Sequence, residues 1–355
     1  MKGDMPMKLI HTADIHLDAR MEAIYPAELA KERRKELRKE WWRLVEYAGR
    51  NGISAILIAG DLFDTKKPLQ TTLTVLRESI ERNPDIAFYY LRGNHDELLL
   101  TDMPKNFHTF TDEWSSYSLA PGLRLYGCES LSARSYDTLI TDEEELNIVM
   151  LHGTVAESGY ADDTVNLRRL RRKGIDYLAL GHIHKPAEDA LDERGKYAYP
   201  GCLVGRGFDE CGEKGFRLLT VENGSIDSRF IPFASRTVHE RTVDLETPES
   251  EGEAFATLER ELADIKESDV VRVLMPKGSR LSKEAVARYL NTRFYFGEAK
   301  KAAFSVAGEA DLYLGDVSLR GEFVRLVRES ALSESEKEDV LAYGLSALRG
   351  EEAEL

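Results

Sequence analysis

The sequence predicts an α/β fold with layered sheets, and three observations carry that expectation. Short apolar runs of strand length recur through residues 1–235. Helical patterns separate the earliest of these runs. Several are apolar without alternation, as strands covered on both faces are.

Each element has its own justification. Residues 7–16 (MKLIHTADIH) read as a strand leading into a polar turn, and 28–50 as a helix with Trp41, Trp42, Leu44, Val45 and Ala48 on its apolar side. Residues 53–61 (ISAILIAGD) are a nearly unbroken apolar strand, and a helical segment follows Pro68. Further strands fall at 85–96, 123–128, 146–153 and 175–182, and the chain turns β-rich from about 196. After Ser235 the texture changes: a strand at 237–246, a charged amphipathic helix at 249–267, a strand at 269–276 and a helix at 281–291. Two short helices end the chain, the second opened by a capping box of Ser333 and Glu336. The expected domains are therefore a core at 1–235, a small α/β cap at 236–310 and C-terminal helices at 311–355.

Composition narrows the class. The 355 residues are 42% hydrophobic and 31% charged, with mean hydropathy -0.39, which suits a soluble protein with a sizeable core. No apolar run approaches the roughly 20 residues that span a bilayer, so no membrane partner is expected. The segment MKGDMPMK lacks the apolar stretch of a secretory leader. Three cysteines make no paired framework, and reduced thiols in a cytoplasmic protein are expected. A net charge of -15 counts against broad attraction to nucleic acid, so any such binding needs local positive charge.

The chemistry sits where the apolar runs stop. The first ends in DIH (Asp14, His16), the second in GDLFD (Asp61, Asp64) and the third in GNHD (Asn94, His95, Asp96). Two later runs end at His152 and in GHIH (His182, His184). Ligands in open α/β sheets gather outside the carboxyl ends of strands. Carboxylates, imidazoles and an amide oxygen are donors that Mn, Fe or Zn accept. In extended backbone, residues two apart point the same way, so His182 and His184 would face one region.

In this order the motifs resemble those of the calcineurin-like metallophosphoesterases, most closely the SbcD-type DNA repair exonucleases that work with an SMC-like ATPase. The resemblance covers roughly residues 7–220, including the glycine-rich segment at 199–216. It implies a four-layer core of two packed mixed β-sheets flanked by helices. Asp14, His16 and His184 would hold one divalent ion, and Asn94, His152 and His182 a second, with Asp61 bridging. Manganese is the first expectation, with Fe, Zn or Mg also compatible. His95 would be the general acid. The resemblance also implies DNA as substrate and an SMC-like ATPase as partner, and it leaves a homodimer open. One departure stands out: many SbcD-type nucleases end GDLFH, whereas this chain has Asp64. In the phosphatase branches that Asp orients the GNHD histidine, so Asp64 is expected to pair with His95 and favour its imidazolium form.

The other polar residues read more plainly. His11, His108 and His239 are assigned to structure, and Asp96 to the turn. RRLRRK at 168–173 is either a solvated helix face or a phosphate-contacting patch. Residues 31–43 read as a helix with i,i+4 ion pairs. Arg206 is the single best candidate for a phosphate clamp. Phe323, Val324, Leu326, Val327, Val340, Leu341, Leu345 and Leu348 would pack on one another or on a partner coiled coil.

Metal-dependent hydrolysis of DNA, exonucleolytic and open to an endonucleolytic component, is the leading functional expectation. The alternatives are a phosphodiesterase or phosphatase for small nucleotides or phosphoproteins, and a non-catalytic, metal-stabilised subunit of an ATPase complex. The C-terminal extension favours the first over the second, and the complete ligand set with His95 argues against the third.

Overall fold

The computed structural model describes residues 6–159, 163–301, 319–330 and 332–348. It divides into two compact units, Met1–Val238 and His239–Leu355. Among the described residues no helix is long and apolar enough to cross a membrane.

The first unit begins with β1 (Met7–Thr12), α1 (Ala27–Arg50), β2 (Ile53–Ala59), α2 (Gln70–Glu81), β3 (Ala87–Leu91) and β4 (Phe107–Thr109). The four strands run parallel. A second sheet grows from β5 (Ser115–Ala120), β6 (Leu123–Gly127), α3 (Ala133–Thr138) and β7 (Leu146–His152). A short pair, β8 (Thr154–Ala156) and β9 (Thr164–Asn166), precedes α4 (Leu167–Leu170), β10 (Tyr177–Gly181), β11 (Ala187–Ala190) and β12 (Lys196–Tyr199). The chain then returns to the first sheet with β13 (Gly215–Glu222) and β14 (Ser225–Pro232). The sheet orders are β14-β13-β1-β2-β3-β4 and β11-β12-β10-β7-β6-β5. Two packed mixed sheets flanked by helices are the architecture expected from the motifs.

Burial explains the unbroken apolar runs. Leu9, Leu57 and Leu91 of the first sheet meet Leu125, Ile148 and Met150 of the second in one buried cluster. Residues one position along point the other way. Ile56 and Ile58 are fully buried on the opposite face, in the sheet whose Phe88 meets Trp41 of α1 at 6.3 Å between ring centroids. The Trp41 Nε1 donates to Ser79 Oγ of α2 at 2.9 Å, so the indole is buried without an unmet donor. Both faces of the sheet are thus covered.

Two charged segments differ from expectation. RRLRRK makes only a single helical turn, because α4 ends at Leu170 and the chain leaves helical geometry. Its arginines are bound to neighbours: Arg169 to Asp137, and Arg171 to both Glu157 oxygens at 2.7 and 2.6 Å. Arg168 and Arg172 of the same run are exposed, so the segment is a solvated, partly paired surface turn. In α1 the pairs within residues 31–43 are spaced i,i+3, Arg33 with Glu36 and Arg43 with Glu40, because Arg33 is drawn inward to the Gly205 carbonyl.

The second unit contains a three-stranded sheet, ordered β15 (Val238–Thr242), β16 (Val270–Met275) and β17 (Phe296–Lys301), with α5 (Glu251–Glu261) and α6 (Lys283–Arg293). Val271, Val273, Leu258 and Leu290 share its core. The expected helix at 249–267 is shorter, capped by Ser250, which accepts from the Glu253 amide, and β17 lies beyond the expected elements. Strand β17 runs parallel to β16 across the α6 crossover, with its exposed Lys300 and Lys301 masking its strand character in sequence. The expected boundary at 310 lies outside the described residues. Helices α7 (Leu319–Glu329) and α8 (Glu334–Leu348) follow, and Ser333 and Glu336 form the reciprocal capping contacts.

Candidate metal centre

Parallel strands of both sheets end at one place. Beyond β1 lie Asp14 and His16, beyond β2 Asp61 and Asp64, and beyond β3 Asn94 and His95. The second sheet contributes His152 at the end of β7 and His182 and His184 after β10. The glycines of these motifs permit the approach. A Cβ on Gly181 would stand 1.8 Å from Ala59 O, and one on Gly93 would stand 2.2 Å from Asp61 Oδ1. Strain gathers at the same point. Of seven non-glycine residues with positive φ among those described, four are Asp14, His16, Asp61 and His182. Each such residue costs on the order of 1–3 kcal/mol, so the surrounding contacts must hold them there.

Two groups of donors converge. His16 Nε2 lies 3.1 Å from His184 Nε2, and Asp14, His16 and His184 place ligand atoms within 4.8 Å of one another. On the other side, Asn94 Oδ1 lies 3.0 Å from His152 Nε2 and 3.2 Å from His182 Nδ1. Between them stands Asp61, whose Oδ2 is 3.7 Å from His16 Nε2 and 3.5 Å from His152 Nε2. His182 and His184 therefore join different groups. Asp14 also accepts the His182 amide at 2.9 Å and lies within 4.8 Å of Asp61 and His152, so it borders both.

The buried donors need a cation. Asp14, His16 and Asp61 are at most 2% exposed. Burial raises the Asp14 carboxyl to about 7, and burial lowers His16 to about 4. At His152 burial acts downward, but the Asp61 carboxylate outweighs it and holds the imidazole at about 9. The same imidazole lowers Asp61, against its burial. Protons thus occupy positions where positive charge is required. The ring positions agree. His152 Nδ1 donates to Ala59 O at 2.9 Å, which turns Nε2 toward the Asp61 and Asn94 oxygens. His184 Nδ1 has Glu210 Oε1 at 2.7 Å and Arg206 Nη2 at 3.2 Å; the shorter contact is to a carboxylate, which only accepts, so the proton belongs on Nδ1 and the Nε2 lone pair faces His16. These residues fit a pair of divalent ions.

The model of the calcineurin-like phosphoesterases matches residues 7–186, just over half of the chain, from the first residue of β1 to two residues beyond His184. The chain belongs to the calcineurin-like phosphoesterase family. An uncharacterized metallophosphoesterase of Bacillus subtilis (strain 168), YhaO, is 30% identical over 248 residues, which are 63% of this chain and 60% of that protein. Among solved structures, a dimetal phosphatase from Danio rerio is similar over 65% of this chain and all of that one, at 11% identity and a TM-score of 0.46. TT1561 of Thermus thermophilus is similar over 64% and 99% of the two chains, at 12% identity and a TM-score of 0.40.

Asp64 stands beside both His16 and His95, the three placing ligand atoms within 4.8 Å of one another. Its hydrogen bonds go to other partners: Oδ1 lies 3.0 Å from His16 Nδ1 and accepts from Arg206 Nη1 at 3.1 Å, while His95 acts on the carboxylate through its charge. His95 itself stands exposed with its ring centroid 5.2 Å from that of His16. The Arg206 fork is turned to carboxylates. Its Nη2 donates to Glu210 Oε1 at 2.6 Å and its Nη1 to Asp64, leaving the fork occupied. Asp96 shapes the turn, accepting from the amides of Leu62, Phe63 and Gly93. His11, His108 and His239 have structural partners in Tyr177, Tyr89 and Asp269. Glu210 and the buried Lys214 were not among the expected residues. The only sequence signal for Glu210 is an Arg and a Glu four apart in a segment too rich in glycine to be a helix.

Proposed function

We propose that the protein is a metal-dependent phosphodiesterase acting on DNA. The observation that carries the hydrolytic reading is the Asp61 carboxylate standing between two separate donor groups, 3.7 Å from His16 and 3.5 Å from His152. Asp14, His16, His184 and Asp61 would hold one ion, and Asn94, His152, His182 and Asp61 the other, with manganese the metal we favour. When bound, such a pair supplies an ionised water near neutral pH and neutralises charge on the phosphate oxygens. Asp61 Oδ1 accepts the His95 amide at 3.0 Å, which fixes this backbone at the mouth of the centre. His95 is the exposed imidazole there, placed to donate its ring proton to the leaving oxygen. Asp64 hydrogen-bonds to His16 and stands within 4.8 Å of His95, so it positions a ligand and sets a negative charge beside the general acid.

Two clefts that share Asn94 support a chain-like substrate. One is lined by Arg20, Asp64, Thr65, Lys66, His95 and Glu97, the other by Arg92, Asp112, Ser130 and His152. A polymer can run from one to the other past the shared residue. Arg20 and Lys66 place positive charge in the first, offset in part by Asp64 and Glu97. The second cleft also bears Asp112, Glu129 and Asp163, which favours the alternative of a small phosphoester bound from the His95 side.

The test is hydrolysis of linear DNA, circular DNA and bis-p-nitrophenyl phosphate by the metal-stripped chain with manganese restored. Cleavage of both DNA and the small ester is expected. Turnover of the small ester alone, even with an SMC-like ATPase added, would establish the alternative. His95→Ala should lower kcat roughly 10²–10⁴-fold with metal content unchanged. Full activity in that variant would remove His95 from the reaction.

A further inference from the structure

The segment between β12 and β13 holds His184 from several directions. Lys214, 4% exposed, donates its Nζ to the His184 carbonyl at 2.8 Å, and the Cys202 amide reaches the same oxygen at 3.4 Å. Glu210, 3% exposed, sets its Oε1 2.7 Å from His184 Nδ1. Arg206 fixes Glu210 in turn: its backbone amide donates to Oε2 at 2.6 Å and its Nη2 to Oε1 at 2.6 Å. The other arm of the guanidinium, Nη1, donates to Asp64 Oδ1 at 3.1 Å, and that oxygen lies 3.0 Å from His16 Nδ1. One half-buried cation thus ties together the carboxylates behind His16 and His184.

Among the described residues, no carboxylate hydrogen-bonds to an imidazole of the second donor group from behind, although the Asp163 charge acts on His182. His152 Nδ1 rests on the neutral carbonyl of Ala59, and His182 is only half-buried, with its Nδ1 turned to Asn94. A carboxylate behind a ligating imidazole fixes its orientation and raises its basicity, and its loss typically costs about 10–100-fold in metal affinity. A neutral carbonyl fixes the ring with less electrostatic effect.

We propose that Glu210, clamped to Asp64 by Arg206, is a positioning residue that makes the two ion positions unequal, the Asp14–His16–His184 position being the tighter. The inference rests on the dimetal reading. Its direct consequence is stepwise loading of the centre, with the position nearest Asn94 filled last and emptied first.

Calorimetric titration of the metal-free full chain with manganese tests this. The wild type should show a tight event and a weaker one, and His182→Ala should weaken or remove only the weaker. Glu210→Gln should weaken the tight event about 10–100-fold and leave the weaker one in place. Glu210→Asp, which keeps the charge, should recover part of that loss and serves if the glutamine variant does not fold. Arg206→Gln should act in the same direction as Glu210→Gln. Thermal melting of the metal-free variants gives the second readout: a merely structural Glu210 would lower the melting temperature and weaken both events equally. That result, or two unchanged events in Glu210→Gln, overturns the inference and leaves the dimetal reading intact. A wild type that takes up no manganese overturns both.

Discussion

Asp61 shows how much one side chain can decide. Its Oδ2 reaches toward both donor groups, its Oδ1 anchors the His95 amide, and its charge raises the His152 imidazole against the effect of burial. Asp61→Asn removes that charge while keeping the shape, so it should lower metal content from two ions to one or none, as read by elemental analysis. Retention of two ions would show that Asp61 does not bridge. His11 makes a separate, pH-dependent prediction. Burial, aided by the Arg217 charge, lowers it to about 3, so between pH 6.5 and 3 the unfolded chain binds a proton that the folded chain refuses. Stability should therefore fall with pH across that window, by up to about 1.4 kcal/mol per pH unit from this group. In denaturant unfolding from pH 7 to 4.5, His11→Gln should give a shallower slope; an unchanged slope would place the proton uptake elsewhere. The ligands were legible in sequence because each follows an apolar run of strand length, which marks where a strand ends. Glu210 was not, because a glycine-rich loop has no period from which to infer where its side chains point.

At the level of elements, the two sheets meet because their strand ends carry glycine. Gly181→Ala would push a Cβ to 1.8 Å from the Ala59 carbonyl, a backbone atom that cannot rotate away. Overpacking of this kind costs about 1–3 kcal/mol, which lowers the melting temperature by roughly 2–12 °C in a unit of this size, and the metal centre should loosen with it. A variant that melts like the wild type and binds metal normally would show that the sheet ends have room to shift. The terminal helices use glycine similarly. A Cβ on Gly344 would stand 2.1 Å from Phe323 Cζ, so the residue that weakens α8 in isolation allows α7 to approach. Val324, Val327, Leu341 and Leu345 pack together, while Leu326, Val340 and Tyr343 stay exposed. The apolar residues of both helices were readable from the sequence, but their division into packed and exposed sets depends on the crossing, which no local pattern encodes.

For the whole molecule, the acidic charge and the proposed DNA substrate pull in opposite directions. A net charge of -15 repels a polyanion at long range, and salt screens that repulsion as well as local attraction. The basic run at 168–173 carries positive charge, part of it matched by Asp137 and Glu157, and none of its residues lines either cleft at the centre. What remains beside the centre is small: Arg20 is exposed, and Lys66 pairs with Glu97 through two exposed side chains, an interaction too weak to keep it from a phosphate. Two cations can neutralise at most about two phosphates, so the logarithm of apparent affinity for a single-stranded oligonucleotide should fall with log salt at a slope of about -1.4 or shallower. The intact -15 surface favours the shallow end of that range, since screening of repulsion opposes release of counterions. Arg20→Ala and Lys66→Ala should each flatten the slope and raise KM for DNA more than for bis-p-nitrophenyl phosphate. Steady-state kinetics of both substrates from about 50 to 200 mM salt, the range over which such contacts lose affinity, would measure this. Equal KM changes for DNA and the small ester would mean that these cations do not recognise a neighbouring phosphate, and the cleft would then belong to a small substrate.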